Sequence, residues 1–370
     1  MTDLRPAARL AQRGRIVRGR QYAGSRTRRQ RRRCLGALLL SALSFSLAAS
    51  AVEAEEKLGN LSVQIENDLF GSQDDGHYTH GTRFSYLSPP VHENDWLQGG
   101  WRQAVLEAAD ALPLFYRGSR FRVAYALGQN MYTPADIRQT RVQTEDRPYA
   151  GFLYGSLGLV AESEHRRLDT LDLTLGVVGP LSLAEQTQRA VHEIVNSPDP
   201  KGWGNQLRNE PAVILAYERK WRRALRFANG ATEFDVTPHA GLSLGNVFTY
   251  ANAGGALRWG DDLSIDYGPP RIRPSLPGSG FFEAENDRLH WYLFAGVEGR
   301  AVARNIFLDG NSFADSHSVD REWLVGDLQA GLVLTWRHAR LSFTHVIRSR
   351  EFRGQTRPDR FGAISLTLRY

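Results

Sequence analysis

The sequence predicts an all-β protein, a transmembrane antiparallel β-barrel of about twelve strands with a short helix in an extracellular loop near the barrel mouth. Three observations predict it. Apolar residues recur at period two in many short segments, the mark of strands with one apolar face. Charge in those segments keeps to one parity, as expected if an arginine on a lipid face costs about 2–4 kcal/mol near the bilayer midplane. The chain also stops on an aromatic residue, Tyr370, at the end of its clearest strand.

Residues 1–54 read as a signal peptide that is removed. An arginine-rich stretch ends in RRQRRRC, the apolar run Leu35 to Ala49 follows, and small residues offer cleavage sites at 49–51 or 52–54. That run is shorter than the roughly 20 residues a membrane-spanning helix needs, and nothing later is long and apolar enough either. The leader also carries the basic charge. It holds 12 Arg against Asp3 and Glu53, a contribution of +10, so the total of +6 becomes −4 over residues 55–370. A nucleic-acid partner read from the high pI would be an artefact of the leader. Cys34, the only cysteine, leaves with it, so the barrel is stabilised by something other than disulfides.

Strands are predicted near 60–68, 79–88, 120–131, 150–162, 168–179, 211–224, 231–247, 252–260, 289–303, 323–337, 339–349 and 361–370. In the last, Ile364, Leu366, Leu368 and Tyr370 alternate with Ala363, Ser365, Thr367 and Arg369. A closing strand ending on an aromatic resembles the terminal strand of bacterial outer-membrane proteins. Leu171, Leu173, Leu175 and Val177 alternate in the same way, as do Leu328, Ala330, Leu332, Leu334 and Trp336. Trp221, Trp259, Trp291 and Trp336 lie near strand ends, where interfacial girdles are expected. An even strand number places both termini on the periplasmic side, and closure removes exposed sheet edges.

If the first strand runs outward, the connections after strands 1, 3 and 5 all lie outside. They hold ENDLFGSQDDGHYTHG, YTPADIRQTRVQTEDRPYAG, and a helix followed by PDPKGWGNQLRNEP. The helix is predicted over Ser182–Asn196, with Ser182 and Glu185 as a capping box. Glu185, Gln188 and His192 fall on one stripe, and Leu183, Ala190, Val191 and Ile194 form an apolar side. Glu66, Asn67, Asp68, Asp74 and Asp75 make an oxygen-rich cluster of the type that suits calcium. By parity, Asp68 and Thr79 point into the lumen. Among the periplasmic connections, 89–119 contains a predicted helix (WLQGGWRQAVLEAADALPLF) and 261–288 is rich in Pro and Gly; neither carries a functional reading.

Taken together, IENDLF with DGHYTHGTRFSYL, EDRPYAGFLYGSLGL, and GVVGPLSLAEQTQRAVHEIV with GWGNQLRNEP resemble the lipid A 3′-O-deacylase family of the outer membrane. The resemblance covers nearly all of the chain after the leader. It implies a twelve-stranded barrel, calcium dependence, and hydrolysis of the ester-linked 3′ acyl chain of lipid A, with lipopolysaccharide as substrate; no protein partner is evident in the sequence. By motif, Asn67 and Asp68 match the family's active-site pair, Thr79 its threonine, and Gln188 and His192 the glutamine and histidine of its helix. Asp146 and Arg147 lie in a matching loop. Some members carry a glutamate six residues after the histidine; here that position is Pro198, with Asp199 beside it.

On this reading His192 activates water, Asp68 with Asn67 holds calcium, and Thr79 and Gln188 orient substrate or water. Calcium would polarise the ester carbonyl. Arg138, Arg141 and Arg147 are candidates for the phosphates of lipid A. The alternatives are an outer-membrane phospholipase or esterase, a porin, and a non-enzymatic adhesion barrel.

Overall fold

The structure is a computed structural model that describes residues 59–68, 77–91, 107, 114–116, 118–164, 166–195, 197–268, 281–283 and 287–370. The leader, Asp74, Asp75 and most of the helix expected within 89–119 lie outside these residues.

The strands are β1 (Asn60–Asn67), β2 (His77–Leu87), β3 (Arg120–Thr133), β4 (Ala150–Ser163), β5 (Arg167–Val178), β6 (Glu210–Trp221), β7 (Leu225–Asn229), β8 (Thr232–Gly245), β9 (Phe248–Gly260), β10 (Leu289–Asn305), β11 (Leu324–Trp336), β12 (Ala339–Arg348) and β13 (Asp359–Arg369). Each pairs antiparallel with its neighbours; β1 pairs β13 and β6 pairs β8, which closes the sheet. Both β6 and β7 lie along β8, at His239–Gly245 and Thr232–Val236 respectively. They are therefore two halves of one stave, interrupted where Arg223 takes a positive φ of 55°. Twelve staves result, as the alternation predicts.

Alternation sorts the side chains into two environments. Phe84, Leu127, Leu173, Leu257, Val297 and Phe343 are exposed and share the outward face, giving the apolar belt of a barrel in the outer membrane. The four tryptophans expected in girdles all fall at the end that carries the termini. Trp259 meets Trp291 edge-on at 5.4 Å, and Tyr86 stacks on Tyr125 at 6.5 Å at the same height.

The inward face fills the lumen. Toward the termini it is ionic. Arg258 is fully buried between Asp235 at 2.5 Å and Asp266 at 2.6 Å, and Arg340 reaches Asp266 at 2.5 Å. Higher up, Asp327 accepts from Arg348 at 2.9 Å, and His239 meets Glu298 at 2.9 Å. At the outer end the filling becomes apolar. The short helix α2 (Ile306–Asp309) turns inward, capped by the Asn305 side chain, which accepts from the Phe307 amide. Phe307 stacks on Tyr132 at 4.0 Å and also meets Phe152 and Phe248. These rings, with Tyr78, Val325, Val346 and Phe361, form one buried cluster.

Candidate active site

The expected site helix is α1 (Ala184–Val195), and it begins later than the sequence suggests. The chain leaves β5 through Gly179 at a φ of 101°, makes a 3-10 turn over Pro180–Ser182, and enters α1 after Leu183 at a φ of 58°. The capping box does not form. The Ser182 hydroxyl is turned backward and donates to the Gly179 carbonyl at 2.6 Å. Glu185 accepts instead from Arg189 at 2.9 Å on the exposed side. Local spacing was right for a cap, but burial of Ser182 against the wall took its hydroxyl elsewhere.

The turn and α1 pack on the outward face of the wall. Gln129 of β3, two residues beyond the exposed Leu127 and so on the same face, donates to the Ser182 carbonyl at 2.6 Å. Gly151 of β4 lies beneath; a Cβ there would stand 2.0 Å from Ser182 Oγ and 2.3 Å from Ala184 Cβ. Met131, Ile137, Tyr149, Ala184 and Trp203 make the apolar seat of the helix. Burial raises the Tyr149 phenol to about 12, and its hydroxyl donates to the Ile137 carbonyl at 3.0 Å.

Ala184, Gln188 and His192, spaced four apart, form the buried stripe of α1. Each polar member is held by a different part of the loop that follows. The indole N–H of buried Trp203 donates to Gln188 Oε1 at 2.7 Å. That fixes the amide, and leaves Nε2 buried with no hydrogen-bond partner among the described residues. His192 Nδ1 lies 2.6 Å from the Pro198 carbonyl oxygen. A carbonyl only accepts, so Nδ1 carries the proton and Nε2 is the basic nitrogen of the neutral ring.

A second polar group lies on the adjoining strands. A β-bulge between Tyr78 and His80 inserts Thr79 into β2. Its hydroxyl shares a 2.7 Å hydrogen bond with that of Thr133. Thr133 has the parity of Leu127 and Met131, so Thr79 belongs to the outward face, not to the lumen as its sequence parity indicates. Asn67 donates from Nδ2 to the Thr79 carbonyl at 3.1 Å and to His80 Nδ1 at 3.3 Å. His80 in turn donates from Nε2 to Thr82 at 2.6 Å. These bonds hold the Asn67 amide against the bulge in β2. Asp68 is buried just beyond the end of β1. Met131 links the two groups, since it pairs with His80 across β2 and β3 and packs under α1 with Ala184.

The oxygens of Asn67, Asp68 and Thr79 are hard donors of the kind calcium takes. Among the described residues no three His, Cys, Asp or Glu side chains gather as a metal site.

The 134–149 loop contributes support. Asp146 accepts from the amides of Ala135 at 2.8 Å and Arg147 at 2.7 Å. Arg147 is fully buried, pairs with Glu351 at 2.8 Å, and lies 5.6 Å from the rings of both Tyr132 and Phe352. The structure thus places Arg147 within the packing that ties this loop to the 349–358 loop. Arg141 is exposed and bonds Gln139 at 3.2 Å; Arg138 is exposed and bonds Asp136 at 3.1 Å. Asp199 is exposed beside Pro198. Trp203, Thr133 and His80 lie inside or beside the quoted motifs, yet sequence reasoning gave them no role. The partner of an indole N–H or of a bulged threonine leaves no local pattern in the sequence; only the fold supplies it.

No curated protein matches the sequence. Among solved structures, the chain is similar to LpxR from Salmonella typhimurium, with a TM-score of 0.68 at 19% identity, covering 84% of this chain and 99% of that one. It is also similar to the β domain of the Bordetella autotransporter BrkA, with a TM-score of 0.39 at 9% identity over 86% of this chain and 99% of that one. The family model described as outer membrane protein LpxR matches residues 36–370, so the chain belongs to the LpxR family of outer-membrane proteins.

Proposed function

We propose that this protein is a calcium-dependent hydrolase of the outer leaflet that removes the ester-linked 3′ acyl chain of lipid A. The observation that carries the reading is the paired fixation of His192 by Pro198 and of Gln188 by Trp203, on a buried stripe facing the outward wall of the barrel. A base with a fixed tautomer and an amide N–H without another partner are the two elements that water-driven ester hydrolysis requires.

In this mechanism His192 Nε2 takes a proton from water as the oxygen attacks the ester carbonyl carbon. The Pro198 carbonyl stabilises the imidazolium through Nδ1–H. Gln188 Nε2 donates to the oxygen that gains charge. The C–O bond then breaks, His192 returns its proton to the sugar 3′ oxygen, and a free fatty acid and a hydroxyl are left. Asp68 and Asn67 would hold calcium, which when bound supplies positive charge toward the carbonyl. Thr79, fixed by Thr133, orients substrate. Exposed Arg138 and Arg141 are suited to the phosphates, and Arg147 holds their loop in place.

The test is mass spectrometry of lipid A from cells expressing the wild type and His192→Ala, with and without a calcium chelator. Loss of the 3′ acyl group only in the wild type with calcium is expected, since a positioned base contributes about 10²- to 10⁴-fold. Unchanged lipid A in all samples, from folded protein, would overturn the substrate assignment; release of fatty acid from phospholipid in the same cells would then identify a phospholipase.

A further inference from the structure

Above the apolar belt, the outward face of the wall turns polar over several adjacent strands. Ladder pairing sets His345 of β12, Gly362 of β13, Asn67 of β1, His80 of β2 and Met131 of β3 in one row across the sheet. His345 has the parity of the exposed Phe343, and Gly362 that of Ile364 opposite Phe343, so the row belongs to the lipid-facing side. The part around Asn67 and His80 is the polar group of the candidate site. The part on β12 and β13 extends it away from α1.

Arg360 stands two residues above Gly362 on β13, on the same outward face, and is exposed. Because Gly362 pairs with His345 on one side and with Asn67 on the other, Arg360 is diagonal to both. Diagonal neighbours on a sheet are about 7–8 Å apart, within reach of a long side chain. The side chains of Arg360 and His345 make no ion pair or hydrogen bond with a described residue. The acids of the same hairpin are engaged elsewhere: Glu351 pairs with buried Arg147 at 2.8 Å, and Asp359 accepts from Gln355 at 2.8 Å.

Its height says what such a cation meets. Tyr370, at the far end of the same strand, meets Tyr86 at 6.3 Å in the girdle at the end with the termini. The ten residues from Arg360 to Tyr370 span about 34 Å of strand, or about 26 Å along the membrane normal at a tilt of about 40°. The apolar band of such barrels is about 25 Å tall, so Arg360 stands at its outer edge, where the penalty for an arginine against lipid falls away. The side chains change at the same level. Leu368, Leu366 and Ile364 of β13, and Leu341 and Phe343 of β12, face outward below it.

We propose that Arg360 and His345 form a binding site for the phosphate group of a lipid in the outer leaflet. The guanidinium offers paired N–H donors that match two phosphate oxygens, and the imidazole adds one more N–H. A lipid held there lies on the β13 side of Asn67, opposite the side where α1 packs on β3 and β4. Its phosphate is then fixed one strand away from the polar group of the candidate site. The inference concerns capture of the lipid and stands whether or not hydrolysis follows.

The test uses the purified barrel in detergent, with all variants made in the His192→Ala background so that turnover does not enter. Binding of phosphorylated lipid A, dephosphorylated lipid A and phosphatidylglycerol is read separately by native mass spectrometry. Arg360→Gln is expected to bind phosphorylated lipid A about tenfold more weakly, the effect of losing hydrogen bonds to a charged group, and to bind the dephosphorylated form unchanged. His345→Ala is expected to show a smaller loss of the same kind. Arg337→Gln, at an exposed arginine between β11 and β12 at the opposite end, is expected to change neither. A parallel loss with phosphatidylglycerol would show that the site takes any lipid phosphate, and a loss confined to lipid A that it takes a phosphorylated glycolipid. Unchanged binding in Arg360→Gln, an equal loss for the dephosphorylated lipid, or the same loss in Arg337→Gln would overturn the proposal. So would displacement of the lipid by inorganic phosphate alone, the mark of a site for the free anion.

Discussion

Trp203 and Pro198 act on their partners through single atoms, and those contacts set the tautomer of His192 and the orientation of the Gln188 amide. An imidazole with Nδ1 donating to a carbonyl has one tautomer; an amide with Oε1 accepting from an indole has one orientation. Neither choice is written in His192 or Gln188 themselves. Glu351 shows the same dependence in its ionisation. Burial pushes its carboxyl up, but Arg348, then Arg147 and Arg300, outweigh that and hold it below the ordinary glutamate range of about 4.5. A carboxyl lowered by folding contributes stability above its unfolded pKa, and loses it as pH falls through the folded value. The temperature at which the folded barrel converts to its slower-migrating unfolded form on gels is therefore expected to be level from pH 8 to 5 and to fall below about 4.5. Glu351→Gln should weaken that dependence. Arg147→Met, which leaves Glu351 buried with less compensation, should cost about 3–5 kcal/mol at neutral pH. A wild type insensitive to pH down to about 3 would refute the assignment.

At the scale of elements, the strands were legible because alternation is enforced by two solvents, lipid outside and a packed lumen inside, so every residue reports its side. Two local features broke the reading. The bulge at Thr79 adds one residue to β2, and one extra residue exchanges faces for that side chain. The expected capping box at Ser182 is replaced by a Gly179–Leu183 turn, because the wall takes the Ser182 carbonyl and leaves its hydroxyl to bond within the turn. The helix was still found, since Gln188 and His192 fall on one stripe whatever its first residue, although Ala184 and not Glu185 completes the buried stripe. How closely α1 sits depends on Gly151. Gly151→Ala puts a methyl into Ser182 and Ala184, at a cost of about 1–3 kcal/mol carried by the α1 contact. Trypsin is expected to cut at Arg189 faster in this variant, with the barrel still folded on unheated gels; an unchanged cleavage rate would show that the helix seat tolerates the shift.

For the whole molecule, the deciding fact is that the described side chains pack the lumen and the candidate site lies outside the wall. The ionic layer around Arg258 and Asp266 and the aromatic core around Phe307 occupy the space a pore would need. Planar bilayers holding the purified protein are expected to show no stepwise conductance above that of the lipid; stable porin-like steps would contradict this packing. The sequence by itself determined the barrel, its twelve staves, and the sharing of one end by the termini. These follow from period-two patterning and from motif order, which are properties of neighbouring residues along a chain. Only the tertiary structure decided that Thr79 faces outward, that Arg147 is a buried brace for its loop, and that Trp203 and Pro198 fix the two candidate side chains of α1, Gln188 and His192. Each of those depends on a partner far away in sequence or on a one-residue change of register, and no local spacing encodes either.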